Sequence, residues 1–124
     1  MKQLIATEAQ EQASLFTWAD LQRGKYKELS LLYAIPNGGS RHPLEAKNLK
    51  AQGVKPGVPD ICLPVPRCPY HALYIELKRT KGGVVSVDQK SWLDRLNKHG
   101  NLAVVCRGWE EAAEVITRYL EGKE

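Results

Sequence analysis

The chain has 124 residues, a formal net charge of +4 and a sequence pI near 9.0, which predicts one domain over residues 1–124 whose core is large enough to fold without cross-links. Charged residues at 26% and apolar residues at 43% exclude a disordered chain, and no apolar run reaches the roughly 18 residues of a membrane span. The opening MKQLIATEAQEQ lacks the apolar segment of a signal peptide, so a cytoplasmic protein is expected.

Thr7 with Gln10 forms a capping box that opens a first helix, EAQEQASLFTWADLQ, and Gly24 ends it. In this helix Glu8 is related to Leu15 and Ala19 by helical spacing and is expected on the buried side, with Glu11 toward the Trp18 edge. ELSLLYAI reads as the first strand, stopped by the turn-rich PNGGSRHP. LEAKNLKAQG is a short helix capped by Gly53. After VKPGVP, DICLPV is a second strand, and PRCPY turns the chain into a third, HALYIELK, over a link short enough for an antiparallel hairpin. TKGGVV is the next loop. Ser86 and Gln89 make a second capping box, opening the helix VDQKSWLDRLNKH that Gly100 closes. NLAVVC is a fourth strand. A last helix carries Trp109, Ala112, Ala113, Ile116, Tyr119 and Leu120 on one apolar face. The order α-β-(α)-β-β-α-β-α predicts an α/β fold with a central mixed four-stranded sheet flanked by helices.

The third strand raises a chemical question. Alternation sends Leu73, Ile75 and Leu77 into a core and leaves Tyr74, Glu76 and Lys78 on the other face, where Glu76 and Lys78 read by themselves as a solvated ion pair. Asp60 begins the partner strand, so a hairpin lets its carboxylate converge with that of Glu76. Two carboxylates suit a hard divalent cation such as Mg²⁺, and a lysine beside them suits phosphate chemistry. Basic residues bracket these positions: Arg41, Lys47, Lys50 and Lys55 before Asp60, and Lys78, Arg79 and Lys81 after Glu76. A polyanionic partner needs that arrangement. Cys62, Cys68 and Cys106 have no zinc or disulfide spacing and read as small apolar residues. His42, His71 and His99 are scattered, no GxxxxGK[ST] phosphate loop occurs, and Trp18, Trp92 and Trp109 fit helical apolar patterns as core.

GVPDICLPV, YIELK and VDQKSWL together resemble the PD...ExK pattern of the restriction-endonuclease-like nucleases, and more narrowly the virus-type replication-repair nuclease (VRR-NUC) domain, small stand-alone phage type. The similarity runs along nearly the whole chain: an early helical glutamate, the PNGG loop, the GVPD strand, the ExK strand and a helix carrying glutamine. It implies Asp60, Glu76 and the backbone carbonyl of Leu77 as metal ligands, Lys78 as the catalytic lysine, Gln89 as a positioning group, and Glu8, chosen over Glu11, as the helix carboxylate. Gln89 keeps a second reading as helix cap. Asn37, Arg41, Arg79 and Lys81 are implied as DNA contacts. The implied activity is Mg²⁺-dependent endonuclease action, with Mn²⁺ able to substitute, on branched DNA such as four-way junctions, by a homodimer of phage or prophage origin. Apolar surface on the last helix and on ELSLLYAI is consistent with pairing. The rival readings are a non-catalytic nucleic-acid-binding module on the same fold and a sequence-specific restriction-type enzyme.

Overall fold

In the computed structural model, which describes residues 4–36 and 43–123, helix α1 (Glu8–Gln22) begins at the predicted capping box, with Thr7 and Gln10 each closing on the other's main-chain N–H. Its buried side is Glu11, Leu15 and Ala19. Glu8 is exposed, so the expectation for the two glutamates is reversed. The steps 11–15–19 follow a single i, i+4 stripe, whereas Glu8 stands at the helix's first turn, beyond the packed part of that stripe.

ELSLLYAI is not a strand along its length. Lys27–Leu31 forms a 3₁₀ helix and only Tyr33–Ala34 pairs as strand β1. The reason lies in which leucines bury: Leu29 and Leu32, three apart, enter the core while Leu31 stays exposed, a period that fits a 3₁₀ turn and not a pleat. Helix α2 (Pro43–Ala51) follows, then strands β2 (Ile61–Leu63) and β3 (Leu73–Lys78), helix α3 (Val87–Lys98), strand β4 (Leu102–Arg107) and helix α4 (Trp109–Leu120).

The sheet order is β1-β2-β3-β4, antiparallel across the first two pairs and parallel between β3 and β4, with α3 as the crossover. This is the predicted mixed α/β sheet. Helices α1 and α4 pack on each other and on β3, enclosing Leu15, Ile61, Leu73, Ile75, Leu77, Ala112 and Ile116. Tyr119 spans this layer, its hydroxyl donating to the Val65 carbonyl at 2.6 Å. Cys62 and Cys106 are buried as expected, but Cys68 is exposed in the turn between β2 and β3. Trp18 and Trp109 pack against the core. Trp92 does not: it is half-buried on α3, a helix with no fully buried residue. The apolar face of α4 is spent on the chain's own core, which leaves Leu31 and Tyr33 as the exposed apolar part of the segments cited for pairing.

Helix α3 is tied to β4 by Asn97, whose amide accepts from Ala103 N–H and donates to Ala103 C=O, both at 2.9 Å. It thereby treats Ala103 as a neighbouring strand would and blunts the outer edge of β4. Among the described residues no helix is long and apolar enough to cross a membrane.

Helix α4 starts at Gly108, which has no side chain to cap it. Glu11 of α1 supplies the missing anion, its Oε1 accepting from Trp109 N–H at 3.0 Å. Glu11→Ala is therefore expected to destabilise the fold by about 1–2 kcal/mol, as loss of a helix cap does, read as a lower urea midpoint with unchanged m-value.

Candidate active site

Strand pairing brings the two sequence-predicted carboxylates together. The last registered pair of the β2–β3 hairpin is Ile61 with Ile75, so one step further Asp60 stands opposite Glu76, and opposed residues of antiparallel strands share a face. Asp60 Oδ2 accepts the Leu77 N–H at 2.8 Å. That bond extends the hairpin by one rung with a side chain in place of a main-chain acceptor, and it aims the carboxylate of Asp60 across β3.

Glu76 is 1% exposed and Lys78 5%. The ion pair is therefore buried and not the solvated pair that the strand alone suggests. Lys78 Nζ lies 3.6 Å from Glu76 Oε2, and Gln89 Nε2 donates to the same oxygen at 3.1 Å. The other oxygen, Glu76 Oε1, is buried and receives no hydrogen bond. Burial, then the negative charge of Asp60, pushes the Glu76 carboxyl from an ordinary 4.5 up to about 8, and Lys78 offsets only part of that.

Gln89 resolves its two readings by doing both. Its Oε1 accepts from Ser86 N–H at 2.8 Å and its main-chain N–H bonds Ser86 Oγ at 3.1 Å, completing the capping box. With its oxygen so engaged, the amide nitrogen is the end that faces Glu76. A helix cap and a contact to the buried carboxylate are one side chain.

Glu8, although exposed, reaches the same neighbourhood. A Cβ placed on Gly83 would lie 3.5 Å from Glu8 Oε2 and 3.7 Å from Lys78 Cδ, so both side chains approach this glycine. Glu11, the alternative, is occupied at the start of α4. The glycine loop itself is held by Arg107, whose Nη1 donates to Gly82 C=O at 2.9 Å and Gly83 C=O at 3.2 Å. Sequence reasoning missed Arg107, since a basic residue closing a strand carries no motif. Arg79 lies along Gly82 and Lys81 is exposed beside Thr80 at a hollow lined also by Glu11. Asn37 and Arg41 lie outside the described residues.

These groups fit a divalent cation. A buried carboxylate oxygen with no donor, next to a second carboxylate, is an acceptor-rich spot that an oxygen-seeking cation satisfies and a folded core otherwise avoids. Among the described residues no three His, Cys, Asp or Glu side chains gather, so such an ion would rest on two carboxylates and main-chain oxygen.

Residues 3–110 match the family model described as the VRR-NUC domain. Among solved structures the chain is similar to one described as a VRR_NUC domain protein, with 29% identity and a TM-score of 0.81, covering 95% of this chain and 91% of that one. No curated protein matches it.

The raised Glu76 carboxyl gives a pH signature. The folded protein keeps this proton up to about pH 8 while the unfolded chain releases it near 4.5, so this contribution to stability is full below 4.5 and is lost as pH rises toward 8. In chelator, thermal melts across that window should show wild type losing stability relative to Glu76→Gln as pH increases, and parallel curves would contradict the assignment.

Proposed function

The chain belongs to the VRR-NUC domain family, a family of nuclease type, and we propose that it is a metal-dependent DNA endonuclease whose site is Asp60, Glu76 and Lys78, with Gln89 and Glu8 as supporting groups. The observation that carries this reading is the buried Glu76 carboxylate, one oxygen of which has no donor, opposite the half-buried Asp60 and with a buried lysine beside it. A structural core gains nothing from that combination. It serves a reaction in which a cation and a phosphate must be met together.

Asp60, Glu76 and the Leu77 carbonyl would hold Mg²⁺, or Mn²⁺ in its place, and the bound ion supplies Lewis acidity toward a phosphate oxygen and a more acidic water. The remaining work belongs to the chain. Lys78 presents a fixed ammonium to the negative charge that grows as water attacks phosphorus and the P–O ester bond breaks. Its burial means that this charge is already oriented when substrate arrives. Gln89 fixes the rotamer of Glu76 through Oε2, which leaves Oε1 turned to the site. Glu8 Oε2 and Lys78 Cδ both approach Gly83, where the Glu8 carboxylate can orient a water or a second cation near Lys78.

We read the preferred substrate as branched DNA, four-way junctions included, and the working unit as a homodimer. One site cuts one strand, so opening a junction symmetrically needs two sites in fixed relation, which two-fold pairing supplies. The exposed Leu31 and Tyr33 near the β1 edge are apolar surface available for such contact.

Cleavage should require Mg²⁺ or Mn²⁺, stop in EDTA, and give way to binding without cutting in Ca²⁺. Lys78→Ala should reduce turnover by about 10²–10³-fold, the scale of removing one preorganised charge-stabilising donor, while DNA affinity changes little. Normal cutting by Lys78→Ala, or full activity in EDTA, would refute the mechanism.

Light scattering at micromolar concentration should give about twice the 13.9 kDa chain mass, and a four-way junction should be nicked in pairs on opposing strands. A stable monomer that nicks single flaps would reject the junction reading and leave the chemistry intact.

A further inference from the structure

Beside the carboxylate site lies a cleft that none of the catalytic groups uses. It has a volume of about 460 Å³ and is walled by Lys50 of α2, Lys55 and Pro56 of the following loop, and Asp88, Trp92 and Arg95 of α3. That volume is in the range, roughly 300–1,000 Å³, in which clefts take a ligand of drug or nucleotide size. Trp92 is the tryptophan that does not serve the core. Arg95 lies over its ring, the guanidinium carbon 4.9 Å from the ring centroid, so one wall offers aromatic surface and positive charge together. Lys50, Lys55 and Arg95 are exposed and outnumber the single carboxylate, Asp88.

The cleft is joined to the site through both of its walls. On α3, Asp88 adjoins Gln89, which touches Glu76, and Trp92 follows Gln89 by three residues, about 4.5 Å along the helix. On the other wall, Lys55 and Pro56 lead through Gly57 to Pro59 and Asp60. Gly57 has φ +88°, and a Cβ there would fall 2.7 Å from the main-chain carbon of Asp88. Only glycine permits the loop to press this closely on the first turn of α3, and the contact sets the two walls relative to Asp60.

Resting on the nuclease reading above, we infer that this cleft holds an unpaired nucleotide of the DNA strand next to the cut, its base stacked on Trp92 and its phosphates at Lys50 and Lys55. A paired base is already stacked on its neighbours and cannot lie on an indole, so the cleft favours DNA with unpaired nucleotides, at a branch point or on a single-stranded arm, over continuous duplex. Phosphate neutralisation by the lysines adds affinity for either form.

The test is a binding titration in EDTA, so that no cutting occurs, with a short duplex carrying a single-stranded arm and a matched blunt duplex. Trp92→Ala should weaken binding of the armed DNA about ten-fold, the scale of one lost base–aromatic stack, and leave the blunt duplex unchanged, while Trp92→Phe should keep most of the preference. Lys50→Ala with Lys55→Ala should weaken both DNAs and make the salt dependence shallower by about one to two in log–log slope. Equal loss on both DNAs for Trp92→Ala and Trp92→Phe, or wild-type preference in Trp92→Ala, would overturn the assignment, as would an unaltered salt slope in the lysine variant. Activity of wild type and Lys78→Ala in Mg²⁺ is read separately: if neither cuts, the catalytic reading fails, and the armed-to-blunt preference still decides the cleft.

Discussion

The bond from the Leu77 main-chain N–H to the Asp60 carboxylate is the constraint on which the rest of the site depends. It forms because β2 ends as a ladder at Ile61, one residue after Asp60, while β3 continues to Lys78 with an N–H that needs a partner. The aspartate side chain supplies it. Hairpin register then sets Glu76 opposite Asp60, and two carboxylates that would separate in water are held on one face of the sheet. Neither group could drift away without breaking a rung of the hairpin.

Holding them there is costly, and the surroundings show how the cost is contained. Glu76 loses water almost completely and faces another acid, so its carboxyl favours the protonated form well above the usual range. Lys78 and Gln89 compensate one oxygen and leave the other bare. This is local frustration within an otherwise consistent fold, of the kind that marks sites built for a ligand. The neighbouring elements are correspondingly rigid: α3 is pinned by Asn97 to β4, Arg107 holds the Gly82 and Gly83 carbonyls, and Glu11 locks the start of α4 to α1.

The two acids of α1 show how one helix turn separates two environments. Glu11 is buried and bound to a main-chain N–H, so it holds two helices together. Glu8, one turn earlier, is exposed and approaches Gly83, as Lys78 does. Helical spacing put Glu8 on the buried side, and it is Glu11 that continues the buried stripe of Leu15 and Ala19. The tryptophans divide similarly. Trp18 and Trp109 are core, while the equally periodic Trp92 sits on a helix that turns no fully buried residue inward.

Sequence by itself determined the element order, both capping boxes, the antiparallel hairpin and the pairing of Asp60 with Glu76, because each follows from short-range rules: cap chemistry within three residues, strand alternation, and a turn too short for a crossover. The family resemblance rested on the same local strings. Tertiary structure alone decided the rest. ELSLLYAI became a 3₁₀ turn because the core accepts Leu29 and Leu32, a choice made by distant packing. Glu76 and Lys78 went from a surface pair to a buried one because α3 and the glycine loop cover a strand face that alternation could only label as opposite the core. The cleft at Trp92 exists because Gly57 lets a loop 31 residues away in sequence press on Asp88. Burial and apposition of that kind depend on which segments meet across the fold, and no local pattern in a single chain encodes them.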